Sequence, residues 1–183
     1  MNRADGTELF IIDEDNGRHA MYLARMDTGD STEVVLVKFA AKYHEKAHRL
    51  LASNNLAPTL HFCTRVVGDM VVMEYVPKSK GQSLHAAPPP SLLVLEVIRR
   101  GIHQALGLLH KEGLVLLVDF DGVGQDGRDR YSASLNPALQ LGVGRWQIME
   151  RVHDSQNLER MMERLSRREN WCDYCQMVFY VSG

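Results

Sequence analysis

The fold of this chain is decided by the stretch LLHKEGLVLLVDFDGVGQDG, from Leu108 to Gly127. An apolar helix ends at Gly113, and the apolar run after it predicts a buried strand over residues 114–120. Near the end of this run stands Asp119, where burial of an acid demands a metal ion or a cationic side chain. The alternative is that Asp119 and Asp121 are two acids in a surface turn.

The first half of the chain predicts a five-stranded antiparallel sheet with one helix inserted after the third strand. The strands are expected at residues 8–12, 19–26, 33–39, 60–67 and 70–76, with turn-rich segments between them. The helix is expected at residues 41–53, because its apolar and aromatic side chains fall on one face and Pro58 forbids its continuation.

The second half of the chain is predicted to be mainly helical, after a proline-rich linker at residues 77–91. Ser91 is expected to cap a helix that runs to Lys111. The predicted buried stripe of this helix consists of Leu95, Ile98, Ile102, Leu106 and Leu109. A last helix is expected to start at Asp154 or Ser155, with Asp154 as its cap. Its predicted core stripe consists of Leu158, Met161, Met162 and Leu165.

The composition is that of a globular protein, with 45% hydrophobic and 24% charged residues. A formal net charge of −2 provides no field that would recruit nucleic acid or an anionic membrane. The sequence has no apolar signal segment at its N-terminus and no run as long as a membrane span. The three cysteines cannot all pair, which fits a reducing compartment. We therefore expect an intracellular protein, cytoplasmic or nuclear.

This order of elements, together with three short strings, resembles the protein-kinase-like superfamily. The strings are VVLVKF (34–39), MVVMEYV (70–76) and LLVDFDG (116–122). Three longer stretches, at residues 37–60, 118–136 and 142–154, resemble the divergent kinase-like proteins of mushroom-forming fungi. The resemblance implies an α+β protein-kinase-like fold: an antiparallel β-sheet N-lobe with one helix, and a small, truncated, mainly helical C-lobe.

The resemblance also implies a set of nucleotide-binding residues. Lys38 takes the position of the lysine that meets the nucleotide phosphates. Glu74, Tyr75 and Val76 take the positions of the hinge, whose backbone groups would meet adenine. Asp119 takes the position of the metal-binding aspartate. The implied cofactors are therefore ATP and Mg²⁺, and we expect them to be bound weakly.

The environment of Lys38 supports this assignment on physical grounds. A lysine that faces inward from an apolar strand is costly unless an anion meets it. The alternative is that its face of the strand is open to water. In kinases, a glutamate on the following helix pairs with this lysine. Here the only candidate for that glutamate is Glu45, and it falls on the solvent side of its helix. Asp119 is then the other candidate partner for Lys38.

Two parts of a phosphotransferase are missing from the sequence. The first two strands are joined by DEDNG (13–17), whose three carboxylates would repel a triphosphate. A kinase places an H-R-D-x-x-x-x-N loop, with its base and second metal ligand, between the long helix and the metal motif. Here residues 113–115 run directly into residues 116–119, and the only acid nearby before Asp119 is Glu112. No residue is therefore assigned a catalytic role.

The sequence thus predicts a catalytically impaired kinase-like domain, a pseudokinase that binds a nucleotide weakly and acts through an unidentified protein partner. The predicted division is an N-lobe at 1–76, a linker at 77–91, an abbreviated C-lobe at 92–168 and a tail at 169–183. The alternative is an active serine/threonine kinase, represented by an exon-skipped or mis-assembled sequence. A third possibility is a truncated product whose C-lobe is too small to fold stably.

Overall fold

The computed structural model describes residues 8–14, 21–65, 68–77, 91–116, 120–132 and 142–167. Within these ranges the first part of the chain forms one five-stranded antiparallel sheet in the order β1-β2-β3-β5-β4. The strands are β1 (Glu8–Glu14), β2 (Met21–Asp27), β3 (Thr32–Ala40), β4 (Leu60–Arg65) and β5 (Asp69–Glu74). Helix α1 (Glu45–Ala52) follows β3 in the chain. The predicted sheet and the place of its helix are confirmed.

Helix α1 is shorter than the predicted helix at 41–53 and begins at Glu45. The ring Nδ1 of His44 accepts a hydrogen bond from the amide of Ala47 at 3.1 Å, so His44 caps the helix. The amide of Tyr43 donates instead to the carboxylate of Asp69 at 2.8 Å. Residues 41–44 are held by the sheet and the cap. The amide of His44, which a helix starting at residue 41 would bond to the carbonyl oxygen of Ala40, donates to the carbonyl oxygen of Phe120 at 3.1 Å.

The second part of the chain contains two helices and a short hairpin. Its elements are α2 (Leu92–Lys111), β6 (Leu114–Leu116), a 3₁₀ turn (Phe120–Gly122), β7 (Val123–Gln125) and α3 (Arg151–Arg167). Leu116 pairs with Val123 across the hairpin. The predicted strand at 114–120 is confirmed over Leu114–Leu116, residues 117–119 lie outside the described residues, and Phe120 belongs to the 3₁₀ turn, so the strand prediction is wrong at that residue. The predicted linker at 77–91, apart from its two end residues, and the predicted tail at 169–183 lie outside the described residues.

Both faces of the sheet carry apolar clusters. Strand β5 contributes Met70 and Val72 to one face and Val71 and Met73 to the other, and all four are buried. Successive side chains of a strand point to opposite faces, so β5 is covered on both sides. Helix α1 and the 3₁₀ turn lie on the face of Val71, because Tyr43 and Phe120 pack in that cluster.

The helices pack through the predicted stripes. All nine stripe residues predicted on α2 and α3 are buried, which confirms the helical periodicity. Leu109 belongs to a separate cluster that contains Ala47 and Leu51 of α1 and Leu114 of β6. This cluster joins the sheet with its helix to the second part of the chain. None of the described helices is long and apolar enough to cross a bilayer.

We predict that Leu109→Ala lowers the free energy of unfolding by about 2–5 kcal/mol, because the removed side chain leaves a cavity where α1, α2 and β6 meet. Leu109 is 0% exposed. Urea unfolding followed by circular dichroism measures the change. The matched control is Leu93→Ala in the same helix, where Leu93 is 81% exposed and the expected change is within about 0.5 kcal/mol. Equal effects of the two substitutions would contradict the assignment of this core.

Candidate functional site

Lys38 lies on the face of β3 that looks toward α1 and the 3₁₀ turn. Its strand neighbours two residues away, Leu36 and Ala40, pack against the cluster that contains Tyr43 and Phe120. Val37, on the opposite face, belongs to the other core cluster. The alternation of the strand therefore directs the lysine toward the turn that follows Asp119 in the sequence.

Among the described residues, Lys38 meets the carboxylate of Asp121. Lys38 Nζ lies 3.0 Å from Asp121 Oδ2, and the two side chains are 13% and 41% exposed. The same Nζ lies 5.9 Å from the centre of the Tyr43 ring, within the range of a cation–π interaction. The lysine is thus largely buried, while its carboxylate partner remains accessible to water. Asp119 lies outside the described residues, so its proposed metal-binding role and its pairing with Lys38 stay predictions.

Glu45, the other candidate partner, is engaged elsewhere. Its carboxylate accepts a hydrogen bond from Arg49 Nε at 2.8 Å, one turn along α1, and both side chains are about half exposed. This pair lies on the solvent side of the helix, where the sequence placed Glu45. The lysine of β3 and the acid of the following helix are therefore not brought together in the described structure.

The turn that carries Asp121 is anchored on α1 through Phe120. The Phe120 ring stacks on the ring of His48, with centroids 4.5 Å apart and an angle of 5° between the planes. The Phe120 ring also makes a tilted contact with the ring of Tyr43, with the centroids 5.8 Å apart. The carbonyl oxygen of Phe120 accepts a hydrogen bond from the amide of His44 at 3.1 Å. These contacts determine where the adjoining Asp121 stands relative to β3.

His48 is fully buried and both of its ring nitrogens are hydrogen-bonded. Nε2 lies 2.8 Å from the carbonyl oxygen of Pro58, and Nδ1 lies 2.7 Å from the hydroxyl of Tyr43. Since a carbonyl oxygen only accepts, Nε2 carries the proton and Nδ1 accepts from Tyr43. His48 is not among the site residues predicted from the sequence. Its signal is a polar residue in phase with the buried side of α1, beside Ala47 and one turn from Leu51.

The predicted hinge residues lie at the end of β5, beside β3. Glu74 pairs in register with Val35, which places it three residues along β3 from Lys38, a distance of about 10 Å. The amide of Glu74 donates to the carbonyl oxygen of Thr59 at 2.8 Å, and its carboxylate accepts from the amide of Thr59 at 3.2 Å. Glu74 thus ties β5 to the start of β4.

Tyr75 and Val76, the other predicted hinge residues, follow β5 and are half-buried. In the described part of the chain, the backbone of Val76 makes no hydrogen bond. Within the same ranges, no group of three or more His, Cys, Asp or Glu side chains is arranged to bind a metal ion.

A second polar network, centred on Asp154, holds the chain just before the turn. Asp154 Oδ2 accepts from His110 Nε2 at 2.8 Å and from the amide of Leu116 at 3.1 Å, and its side chain is 0% exposed. Burial raises the pKa of Asp154, and the hydrogen bonds from His110 and Leu116 act in the opposite direction. This carboxylate joins α3 to the end of α2 and to the end of β6.

The role expected for Asp154 as a helix cap is therefore wrong. Helix α3 begins at Arg151, so Asp154 lies inside it and its carboxylate points into the protein. The sequence contains a signal for this position: Asp154 lies one turn before Leu158 and in phase with the buried stripe. An acid in phase with a core stripe indicates a buried partner, which here is His110.

Comparison with known proteins supports the fold and nothing finer. No family profile matches the chain, and no similar curated protein is found. Among solved structures, the chain is similar to the kinase PK-1 of Cydia pomonella granulovirus, with a TM-score of 0.65 and 14% sequence identity. The match covers 88% of this chain and 69% of the viral chain. At this identity the likeness concerns the fold alone, which is protein-kinase-like.

We predict that His48→Leu and Tyr43→Phe are coupled in a double-mutant cycle. Loss of the imidazole leaves the Tyr43 hydroxyl and the Pro58 carbonyl buried without this partner, at about 1–3 kcal/mol for each group. Once His48 is gone, Tyr43→Phe should cost less than it does in the wild type. Urea unfolding of the four proteins is expected to give an interaction energy above about 0.5 kcal/mol. Additive effects would refute the hydrogen bond between the two side chains.

We also predict that Asp154 makes stability depend on pH. Its pKa in the folded state is raised above the ordinary value of 3.8, so the folded protein holds this proton more tightly than the unfolded chain does. The resulting stabilisation is present below pH 3.8 and is lost as the pH rises through the folded-state pKa. In Asp154→Asn the side chain cannot ionise, so the variant does not lose this stabilisation as the pH rises.

The measurement for Asp154 is a comparison of unfolding free energies of the wild type and Asp154→Asn across this pH window. The wild type should lose stability relative to the variant as the pH rises. The amide keeps an oxygen that accepts from Leu116, so the variant tests the charge with little change of shape. Parallel pH curves for the two proteins would overturn the assignment.

Proposed function

We propose that the protein is a catalytically impaired kinase-like domain that binds a nucleotide weakly and acts through a protein partner. The observation that carries the proposal is the ion pair between Lys38 and Asp121 at 3.0 Å. It supports an anion-binding role for Lys38 and, at the same time, explains why that binding is weak.

Nucleotide binding is weak because the phosphates compete with Asp121 for the one positive charge of Lys38. Lys38 is 13% exposed, so an incoming phosphate reaches a cation that a carboxylate of the chain already neutralises. Asp121 is 41% exposed and lies on the turn, so it can move toward solvent or toward a metal ion. Mg²⁺ bound with the nucleotide would compensate the charge of the phosphates, with Asp119 as the proposed ligand.

The position of the hinge supports a nucleotide as the class of anion. Val76 has a backbone that makes no hydrogen bond within the described residues, and it follows the strand that adjoins Lys38. Val35, the register partner of Glu74, lies three residues along β3 from Lys38, or about 10 Å, so an elongated ligand with an anionic end, such as a nucleotide, fits between the hinge and the lysine. The strings at 118–136 and 142–154 further support a relation to the fungal kinase-like proteins.

Impaired catalysis is supported by the interactions of Glu112 and His110, the ionisable side chains nearest to the place where a kinase carries its catalytic loop. Glu112, the acid that precedes Asp119, accepts a hydrogen bond from Lys46 Nζ at 2.8 Å. This hydrogen bond lowers the pKa of Glu112 and makes it a poorer base. The ring Nε2 of His110 donates to the buried Asp154. Loss of a positioned general base costs typically 10²–10⁴-fold in rate.

We predict that ATP raises the melting temperature of the wild type and that Mg²⁺ increases this effect. A ligand at about ten times its Kd stabilises a protein by about 1.4 kcal/mol. Lys38→Ala should lose the stabilisation, because the phosphates lose their cation. The matched control is Lys46→Ala, an exposed lysine that is also ion-paired, and it should keep the full response. No stabilisation of the wild type, or an undiminished response in Lys38→Ala, would refute nucleotide binding.

A phosphotransfer assay tests the second half of the proposal. With labelled ATP and a general protein substrate, the wild type should transfer no more phosphate than Lys38→Ala does. Transfer clearly above that level would refute impaired catalysis in this chain. Sequencing the transcript across the Val115–Leu116 junction then identifies whether a loop-encoding exon exists.

A further inference from the structure

A cleft of about 420 Å³ lies between α2 and α3 and shares no residue with the Lys38 site. Its apolar lining consists of Leu92, Leu95 and Met162. Leu95 and Met162 belong to the core between the helices, whereas Leu92 is 81% exposed. The cleft therefore opens the edge of the helical core to solvent, and a methionine in its wall can adapt to different apolar groups.

The apolar surface continues around α2 beyond the cleft. Leu93 is 81% exposed and Val97, one turn later, is 50% exposed. Leu92 is adjacent to Leu93 in the same first turn, so the exposed apolar surface runs from the cleft across the outer face of the helix. Burial of apolar surface against a partner contributes about 25 cal/mol per Å², which makes this region favourable for association.

The polar walls of the cleft give the sign of the partner's charge. Three carboxylates line it, those of Glu96, Glu159 and Glu163, against the single guanidinium of Arg99. Glu96 lies on α2 and the other two lie on α3, so the acids face the cleft from both sides. A cationic partner is attracted by this arrangement, while an acidic peptide or an anionic membrane is repelled.

The length of the cleft fits a short helix. On α2 the lining runs from Leu92 to Arg99, and on α3 from Glu159 to Ser166. Each stretch rises about 10 Å, which is two turns of an α-helix. The lining residues of α3 recur at i, i+3, i+4 and i+7, the spacing that presents one continuous stripe. An amphipathic helix seats apolar side chains at the same spacing in such a groove.

We propose that the α2–α3 cleft binds a basic amphipathic helix of a partner protein. Apolar side chains of that helix pack on Leu92, Leu95 and Met162, and its lysines or arginines pair with Glu96 and Glu159. The inference rests on the proposed function in one respect, since it assigns the partner-binding role of the domain to this cleft. It uses none of the residues assigned to nucleotide binding.

The test uses the full chain and a fluorescein-labelled synthetic peptide about four helical turns long. The peptide carries leucines at i, i+3, i+4 and i+7 and lysines elsewhere, and its binding is measured by fluorescence anisotropy. We expect the wild type to bind it, and to bind a scrambled peptide of the same composition on the order of tenfold more weakly. A peptide with glutamates in place of the lysines should not bind.

Substitutions in the chain locate the binding. Glu96→Lys, Glu159→Lys and Leu92→Ser should each weaken binding, on the order of tenfold for the charge reversals. The matched control is Asp30→Lys, an exposed acid in the turn between β2 and β3, with the same change in net charge and unchanged affinity expected. Circular dichroism and thermal unfolding verify that each variant is folded.

Four results would overturn the proposal: no binding by the wild type, equal binding of the acidic peptide, an equal loss in Asp30→Lys, or a homodimer in sedimentation that covers the cleft. Lys38→Ala should bind the peptide like the wild type, and Glu159→Lys should keep its response to ATP. Failure of the cleft and failure of nucleotide binding are therefore seen in separate measurements.

Discussion

The ring of Phe120 lies flat against the ring of His48, and the charged groups of the candidate site take their positions from this contact. His48 cannot shift easily, because it is fully buried and its two nitrogens are tied to Pro58 and Tyr43. A buried polar side chain with all of its hydrogen bonds made is rigid, since any displacement leaves a donor or an acceptor unpaired. Phe120 is therefore held in place, and Asp121 next to it reaches Lys38.

Asp154 performs the corresponding task on the other side of the hairpin. It holds the amide of Leu116 and the ring of His110 from within α3, so the chain enters the segment 117–122 from a defined point. Leu116 is thus held by Asp154 before residues 117–119, and Phe120 is held by His48 after them. The apolar cluster around Leu109 includes Leu114 and Leu116 before residues 117–119 and Phe120 and Val123 after them, so both flanks belong to one core.

Much of the fold was predictable, because burial leaves a local pattern in the sequence. The alternation in the strands and the stripe from Leu95 to Leu109 follow from which side chains avoid water. The start of α1 was not predictable from such a pattern. The amide of His44 is bonded to the carbonyl oxygen of Phe120, 120 − 44 = 76 residues further along the chain, and no helical periodicity reports a contact of that range. The same holds for Asp154, whose place in the buried stripe was visible but whose partner on α2 was not.

By itself the sequence determined the order of the elements, the kinase-like strings, and the direct joining of Val115 to Leu116 where a kinase carries its catalytic loop. These are properties of neighbouring residues, and they are read along the chain. Only the tertiary structure decided that Asp121 meets Lys38, that Glu45 pairs with Arg49, and that acids from α2 and α3 line one cleft. The physical reason is that electrostatic attraction depends on distance in space, and the packing of α1, the hairpin and the helices determines those distances.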